Sequence, residues 1–319
     1  MSLLNVSDLQ THFKLPKGVL RAVDGVSFTV ERGETVGLVG ESGCGKSTLG
    51  RSLLRLETPT AGHITLDGQD ILPLKGAQLR GLRKRMQMIF QDPFASLNPR
   101  HSIGSILETP LQVHGLGDRS QRRRQVEQLL DRVGLPRSAL SRYPHEFSGG
   151  QRQRLGIARA LMLQPDLVVC DEPVSALDLS IQAQILNLLV EMKREYGLSY
   201  LFISHDLSVV QYFADRVLVM YLGRIVESAD RRSLWSTPRH PYTQALIDAV
   251  PDPSRHRQVA PLNGDLPSPQ NLPSGCRFHP RCPRASELCL RQEPALTDLG
   301  GGHQVACHHP QTSVISFLH

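Results

Sequence analysis

The sequence predicts an α/β fold, and three observations carry that expectation. A short apolar run, Thr35-Val36-Gly37-Leu38-Val39, opens directly into a glycine-rich loop. Beyond the loop, Ser47 to Leu56 carries Leu49, Leu53, Leu54 and Leu56 at helical spacing, so strand, loop and helix follow in the order of a phosphate-binding α/β unit. A second apolar run, Leu167-Val168-Val169-Cys170, ends on two carboxylates, Asp171 and Glu172.

The other elements follow from local pattern. Val23, Val26, Phe28 and Val30 occupy strand positions before a turn at Arg32-Gly33. Residues from about 100 to 145 read as mostly helical, with Ile103, Ile106, Leu107, Val126, Leu129, Leu130 and Val133 as the apolar positions. A helix is predicted from Ile181 to Tyr196 and a strand over Tyr200-Leu201-Phe202-Ile203. Two paired strands are predicted at Arg216–Met220 and Gly223–Val226. Near residue 235 the composition shifts: Pro251, Pro253, Pro261, Pro267, Pro269 and Pro273 interrupt regular structure. The expected division is a domain over 1–234, with a helical stretch at about 100–160 inside it, and a loop-rich appendage over 235–319.

Composition narrows the function classes. Of 319 residues 40% are apolar and 21% charged, as in a globular protein with a core; aromatics are only 5%, so Leu, Ile and Val must fill it. No segment approaches the roughly 20 apolar residues of a membrane-spanning helix. The start Met1-Ser2-Leu3-Leu4-Asn5 has no basic and apolar leader pattern. The chain is therefore expected in the cytoplasm, reaching a membrane only through a partner. Its net charge of +6 is spread along the chain. The densest run, Arg122-Arg123-Arg124, lies in a polar, helix-prone stretch and reads as a solvated face rather than a nucleic-acid surface.

Gly40-Glu41-Ser42-Gly43-Cys44-Gly45-Lys46-Ser47 fits the phosphate-binding loop pattern at every fixed position, with Thr48 following. Glycines let successive backbone N–H groups converge on phosphates, and the helix behind turns its positive end to the same anion. Lys46 is expected on the β- and γ-phosphates of ATP and Ser47 on Mg²⁺. A carboxylate pair ending an apolar strand is costly without a task. Asp171 is expected to hold Mg²⁺ and Glu172 to polarise the attacking water.

Phosphate loop and carboxylates together define only a nucleoside triphosphatase. Ser148-Gly149-Gly150-Gln151, with Gln151 standing 20 residues before Asp171, narrows the class. Here the chain resembles the ABC ATPases, whose signature is a short Ser-Gly-Gly-Gln sequence opening a helix. The resemblance implies that this loop serves the ATP of an opposite cassette, so that two cassettes close face to face. It further implies Gln91 as the glutamine that senses Mg²⁺ and water and couples to the membrane partner. Asp178, in Ser175-Ala176-Leu177-Asp178, is implied in linking the two sites, and His205 in contacting the γ-phosphate. Phe13 is the candidate for stacking on adenine, where tyrosine is usual; plain core is the alternative reading.

Two longer stretches, Gln91–Arg100 and Arg239–Leu246, resemble the dipeptide/oligopeptide importer branch. Membership implies a second, related ATPase as heterodimer partner, two integral membrane permease subunits and, indirectly, an extracytoplasmic solute-binding protein. It also implies a peripheral place on the cytoplasmic face of the inner membrane. Peptide as the solute rests on this resemblance alone, and nickel-specific members share similar cassettes. The competing class is a soluble ABC ATPase acting on ribosomes or nucleic acid; such proteins usually fuse two cassettes, and this chain has one phosphate loop and one signature.

Four of the six cysteines, Cys276, Cys282, Cys289 and Cys307, fall in the last 44 residues, separated by five, six and seventeen residues. In a cytosolic protein such crowding points to metal ligation. Structural zinc favours tighter Cys-x₂₋₄-Cys pairs, and the wider spacing suits a [4Fe–4S] cluster, with zinc second. Related peptide-importer ATPases carry a similar pattern associated with [4Fe–4S]. A structural role is expected, since so apolar-poor an appendage needs a staple. Cys44 and Cys170 read as small buried residues.

Overall fold

The computed structural model describes residues 2–16, 18–250, 264 and 266–311. Pro251, Pro253 and Pro261, expected to break regular structure, lie outside the described residues. The chain opens with two long strands, β1 (Ser2–Leu15) and β2 (Gly18–Glu31), followed by β3 (Thr35–Val39), α1 (Lys46–Leu53), β4 (Ala61–Leu66) and β5 (Gln69–Asp70). Next come α2 (Gly76–Arg85), β6 (Met86–Ile89), α3 (Pro93–Ser96), α4 (Ile103–Val113) and α5 (Arg119–Arg132), then α6 (Gly149–Leu161), β7 (Leu167–Asp171), α7 (Leu179–Tyr196) and β8 (Ser199–Ser204). The remainder comprises α8 (Leu207–Phe213), β9 (Arg216–Tyr221), β10 (Arg224–Asp230), α9 (Arg231–Ser236), α10 (Pro241–Asp248), α11 (Glu287–Arg291), β11 (Thr297–Asp298) and β12 (Gln304–Val305).

Contacts divide the chain into two units. The first comprises 31–34 and 70–201; the second comprises 2–30, 35–69 and 202–319, of which the described part ends at 311.

In the first unit β6 and β7 run parallel, with Met86 opposite Leu167 and Ile89 opposite Cys170. Every residue of β7 is buried, as its unbroken apolar run requires. The helical stretch expected near 100–145 is present as α4, α5 and two 3₁₀ turns, Arg137–Ser141 and Pro144–Glu146. It buries the predicted set Ile103, Ile106, Leu107, Val126, Leu129, Leu130 and Val133. Helix α5 starts at a reciprocal capping box between Asp118 and Gln121, which satisfies donors its polar sequence could not bury. Helix α7 begins two residues earlier than predicted, because the Asp178 carboxylate accepts the Ile181 N–H at 3.0 Å and fixes the start.

In the second unit β3 pairs parallel with β9, and β9 antiparallel with β10 in the predicted hairpin. Strand β10 then pairs antiparallel with β12, so a strand from the C-terminal part of the chain joins this sheet. A separate four-stranded sheet has the order β2-β1-β4-β5. Helix α1 is shorter than the predicted Ser47–Leu56: Arg55 takes a left-handed φ of 54° and ends it. Buried Glu227 ties later segments of the chain to β10, accepting the N–H groups of Arg239 (2.6 Å) and His240 (2.9 Å) and bonding His303 Nε2 at 2.7 Å. No helix of the described residues is long and apolar enough to cross a membrane.

Candidate functional site

In the second unit the phosphate-loop residues form one continuous structure. Gly40 (φ 152°), Gly43 (81°) and Gly45 (112°) take conformations that favour glycine. A Cβ on Gly45 would stand 2.0 Å from the Ala22 carbonyl oxygen, and one on Gly40 2.2 Å from that of Met220. The loop is therefore pressed against backbone on two sides, and glycine is required there for space as well as for φ. Helix α1 follows with no side-chain cap and no acidic residue in its first turn, so no carboxylate competes with an anion at its positive N-terminal end. Lys46 is buried, its Nζ donating to the carbonyl oxygens of Gly40 (2.7 Å) and Glu41 (3.0 Å), so the ammonium lies across the loop. Burial raises the Cys44 thiol, as expected of a small core residue.

Phe13 is half-buried on β1. Its neighbour His12 bonds Asp24 through Nε2 at 2.8 Å. Burial works to raise the Asp24 carboxyl, but Arg277, then His12 and Arg224, outweigh it and hold it below the usual range. His205 is exposed between β8 and α8.

In the first unit Asp171, 1% exposed, ends β7. Glu172 follows with a left-handed φ of 46°, a strained conformation for a side chain of its size and of the kind that clusters at working sites. Gln91, just beyond β6, donates from Nε2 to Glu172 Oε2 at 2.9 Å. The two residues expected to handle water thus meet, although 81 positions separate them.

Ser148 caps α6 in a second reciprocal box: Gln151 N–H donates to Ser148 Oγ (3.3 Å), and Ser148 N–H donates to Gln151 Oε1 (3.0 Å). Two glycines at a helix start expose backbone N–H groups to an anion. For Gly150 the structure adds packing, since a Cβ there would stand 2.6 Å from Ile181 Cγ2. Asp178 also accepts from Ser180 Oγ at 2.7 Å; the Ile181 N–H is the first cause that lowers its carboxyl.

Cys276, Cys282, Cys289 and Cys307 line one small pocket with His279, His308 and His309. All are free thiols. Cys282 and Cys307 accept the N–H groups two residues on, from Arg284 (3.4 Å) and His309 (3.3 Å), and Cys276 accepts that of Phe278. Burial, then the neighbouring thiols, push Cys276 up to about 11 despite that bond. The donor chemistry fits a thiolate centre, because each N–H stabilises sulfur charge. The pocket they line encloses about 10 Å³ of free space. Among the described residues no group of three or more His, Cys, Asp or Glu is spaced for a metal ion.

Sequence reasoning missed Asp24, Tyr242, Arg277 and Arg281. Arg281 pairs with Glu41 of the phosphate loop at 2.6 Å. The available signal was slight: Arg277 follows Cys276, and Arg281 precedes Cys282.

Residues 23–175 match the family described as ABC transporter, and residues 226–289 match the oligopeptide/dipeptide transporter, C-terminal region. The chain is 52% identical over 319 residues to the oligopeptide transport ATP-binding protein AppF of Bacillus subtilis, covering 96% of this chain and 97% of that protein. It is 50% identical over 313 residues to the dipeptide transport ATP-binding protein DppF of Escherichia coli, covering 96% and 93%. A solved dimer of the ATP-binding cassette MJ0796, in a post-hydrolysis state bound to ADP and Pi, superposes with a TM-score of 0.66 at 27% identity, covering 72% of this chain and 99% of that one. With relatives this similar over nearly its whole length, the chain belongs to the ABC transporter ATP-binding proteins, in the branch that carries the oligopeptide/dipeptide transporter C-terminal region.

Proposed function

We propose that this ABC ATPase energises uptake of di- or oligopeptides through membrane permease subunits. The observation that carries the nucleotide chemistry is the phosphate loop: three glycines at positive φ, an uncapped helix start and a lysine laid across them. The solute class is supported by the names of the relatives, an oligopeptide and a dipeptide transport protein.

In this reading Gly40 to Thr48 wrap the ATP phosphates, with Lys46 as the fixed cation and Ser47 on Mg²⁺. Asp171 holds Mg²⁺ and Gln91 senses it. Glu172 takes the proton of the attacking water, and His205 contacts the γ-phosphate. Phe13 stacks on adenine. Ser148 to Gln151 and Asp178 act on the nucleotide of a second, related ATPase. That heterodimer works from the cytoplasmic face of the inner membrane, with two permeases and, indirectly, a solute-binding protein. The working division is a cassette over 1–234, its helical part at about 100–160, and an appendage over 235–319.

The four cysteines are proposed to hold a thiolate-bound centre, [4Fe–4S] ahead of zinc. The motif that supports it is the i+2 amide on Cys276, Cys282 and Cys307. Such a centre would supply a structural cross-link. Anaerobically purified protein should carry iron with an iron–sulfur absorbance; neither iron nor zinc would sink the proposal.

The test of the catalytic assignment is Glu172→Gln in the assembled transporter. Turnover should fall on the order of 10²–10⁴-fold, with ATP binding retained. Unchanged hydrolysis removes Glu172 from its role. Co-purification of integral membrane subunits supports the transporter, whereas ribosomes or DNA would overturn it.

A further inference from the structure

The five residues between Cys276 and Cys282 do more than space the thiols. Phe278, 1% exposed, packs edge-on against Tyr221, with ring centroids 5.3 Å apart at 88°, and against Tyr242 at 5.5 Å. On either side of it an arginine reaches back toward the nucleotide loop.

Arg281, with a side chain 5% exposed, donates from Nη1 and Nη2 to the two carboxylate oxygens of Glu41, at 2.6 and 2.9 Å. This is the bidentate fork that fixes orientation as well as charge. Glu41 is the second residue of the phosphate loop, and each of its polar groups is held. Its N–H donates to the Tyr242 hydroxyl at 2.8 Å, its carbonyl accepts Lys46 Nζ at 3.0 Å, and its carboxylate takes Arg281.

Arg277 donates to Asp24 and, at 2.5 Å, to the Leu222 carbonyl. The next residue, Gly223, donates its N–H to the carbonyl of Cys44 in the loop at 2.8 Å and accepts from Asp24 N–H at 2.9 Å. The segment therefore touches the loop directly through Arg281 and at one remove through Arg277.

We propose that Arg281 is a positioning residue for ATP binding. By pairing with Glu41 it fixes the second residue of the phosphate loop and neutralises a carboxylate that would otherwise repel the triphosphate. The C-terminal segment between two cysteines thus sets nucleotide affinity. The five-residue spacing is explained by the turn needed to present both arginines, whatever centre the thiols hold. The proposal rests on the nucleotide reading of the loop.

Equilibrium titration of the purified full-length chain with a fluorescent ATP analogue, in Mg²⁺, tests it. Arg281→Ala should raise Kd about tenfold or more, since it strands a carboxylate in a partly buried site. Arg281→Lys, which keeps the charge and loses the fork, should fall between wild type and alanine. Adding Glu41→Gln to Arg281→Ala should recover most of the loss, because the unpaired charge is gone. High salt should shrink the gap between wild type and Arg281→Ala.

A purely structural arginine would lower the thermal midpoint while leaving Kd of the folded protein unchanged, and that result overturns the proposal. So does a double variant no better than the single one. A wild-type chain that binds no ATP would instead overturn the nucleotide reading, and this inference with it.

Discussion

Two glycine loops in this chain each open a helix, and they are built on opposite principles. The phosphate loop before α1 has no side-chain cap and no acid in the first turn of its helix. The Ser148-Gly149-Gly150-Gln151 loop before α6 closes on itself through a complete capping box. In the first, glycine is required by positive φ and by carbonyl oxygens that a Cβ would strike. In the second, Gly150 makes room for the side chain of Ile181. The first loop borrows its rigidity from Arg281, Tyr242 and the β9–β10 turn. The second carries its rigidity within four residues. A loop whose helix start has no side-chain cap of its own is held by groups from elsewhere in the chain.

The phosphate loop is most sensitive at Gly45. Gly45→Ala puts a Cβ 2.0 Å from the Ala22 oxygen at a φ of 112°, and neither the backbone nor the residue can yield cheaply. ATP binding should be lost by titration even where circular dichroism shows a folded chain; retained affinity would mean that the loop adapts.

The support behind the first loop should also titrate. His240 accepts the Tyr242 N–H at 3.0 Å, and burial, opposed by Glu227, lowers it to about 4. Its folded value lies below its ordinary one, so the unfolded chain takes up the proton first. This contribution to stability is complete above about pH 6.5 and declines as the pH falls toward 4, by an amount on the order of 3 kcal/mol. Urea unfolding across that range should show the slope, and His240→Asn should flatten it.

The second loop should respond more mildly. Gly150→Ala should cost about 1–3 kcal/mol through overpacking on Ile181, and Ile181→Ala in the same chain should relieve most of it. Thermal unfolding of the two variants decides between packing and backbone freedom. Ser148→Ala should cost about 1 kcal/mol by loss of the cap. A larger effect on ATP turnover in the assembled transporter than on stability would show that the serine acts beyond capping.

Strands β3, β7 and β8 could be read from their apolar runs, because a strand buried on both faces is apolar through its middle and keeps polar residues only at its ends. The buried set of α4 and α5 could be read too, since helical period and burial coincide there. The exact end of α1 could not. Leu54 and Leu56 continue the apolar spacing, and only the backbone turn at Arg55 stops the helix.

The sequence alone determined the phosphate loop, the paired carboxylates, the signature serine and the crowded cysteines. Each is a local pattern whose chemistry is written in neighbouring residues. The tertiary structure decided which distant groups serve them. It brought Gln91 onto Glu172 across 81 positions, Arg281 onto Glu41 across 240, and Arg277 onto Asp24 across 253. The physical reason is that an arginine's partner is set by which carboxylate shares its half-buried site, and no spacing along the chain records that. The loop open to ATP could be recognised from eight consecutive residues; what holds it open is more than two hundred residues away.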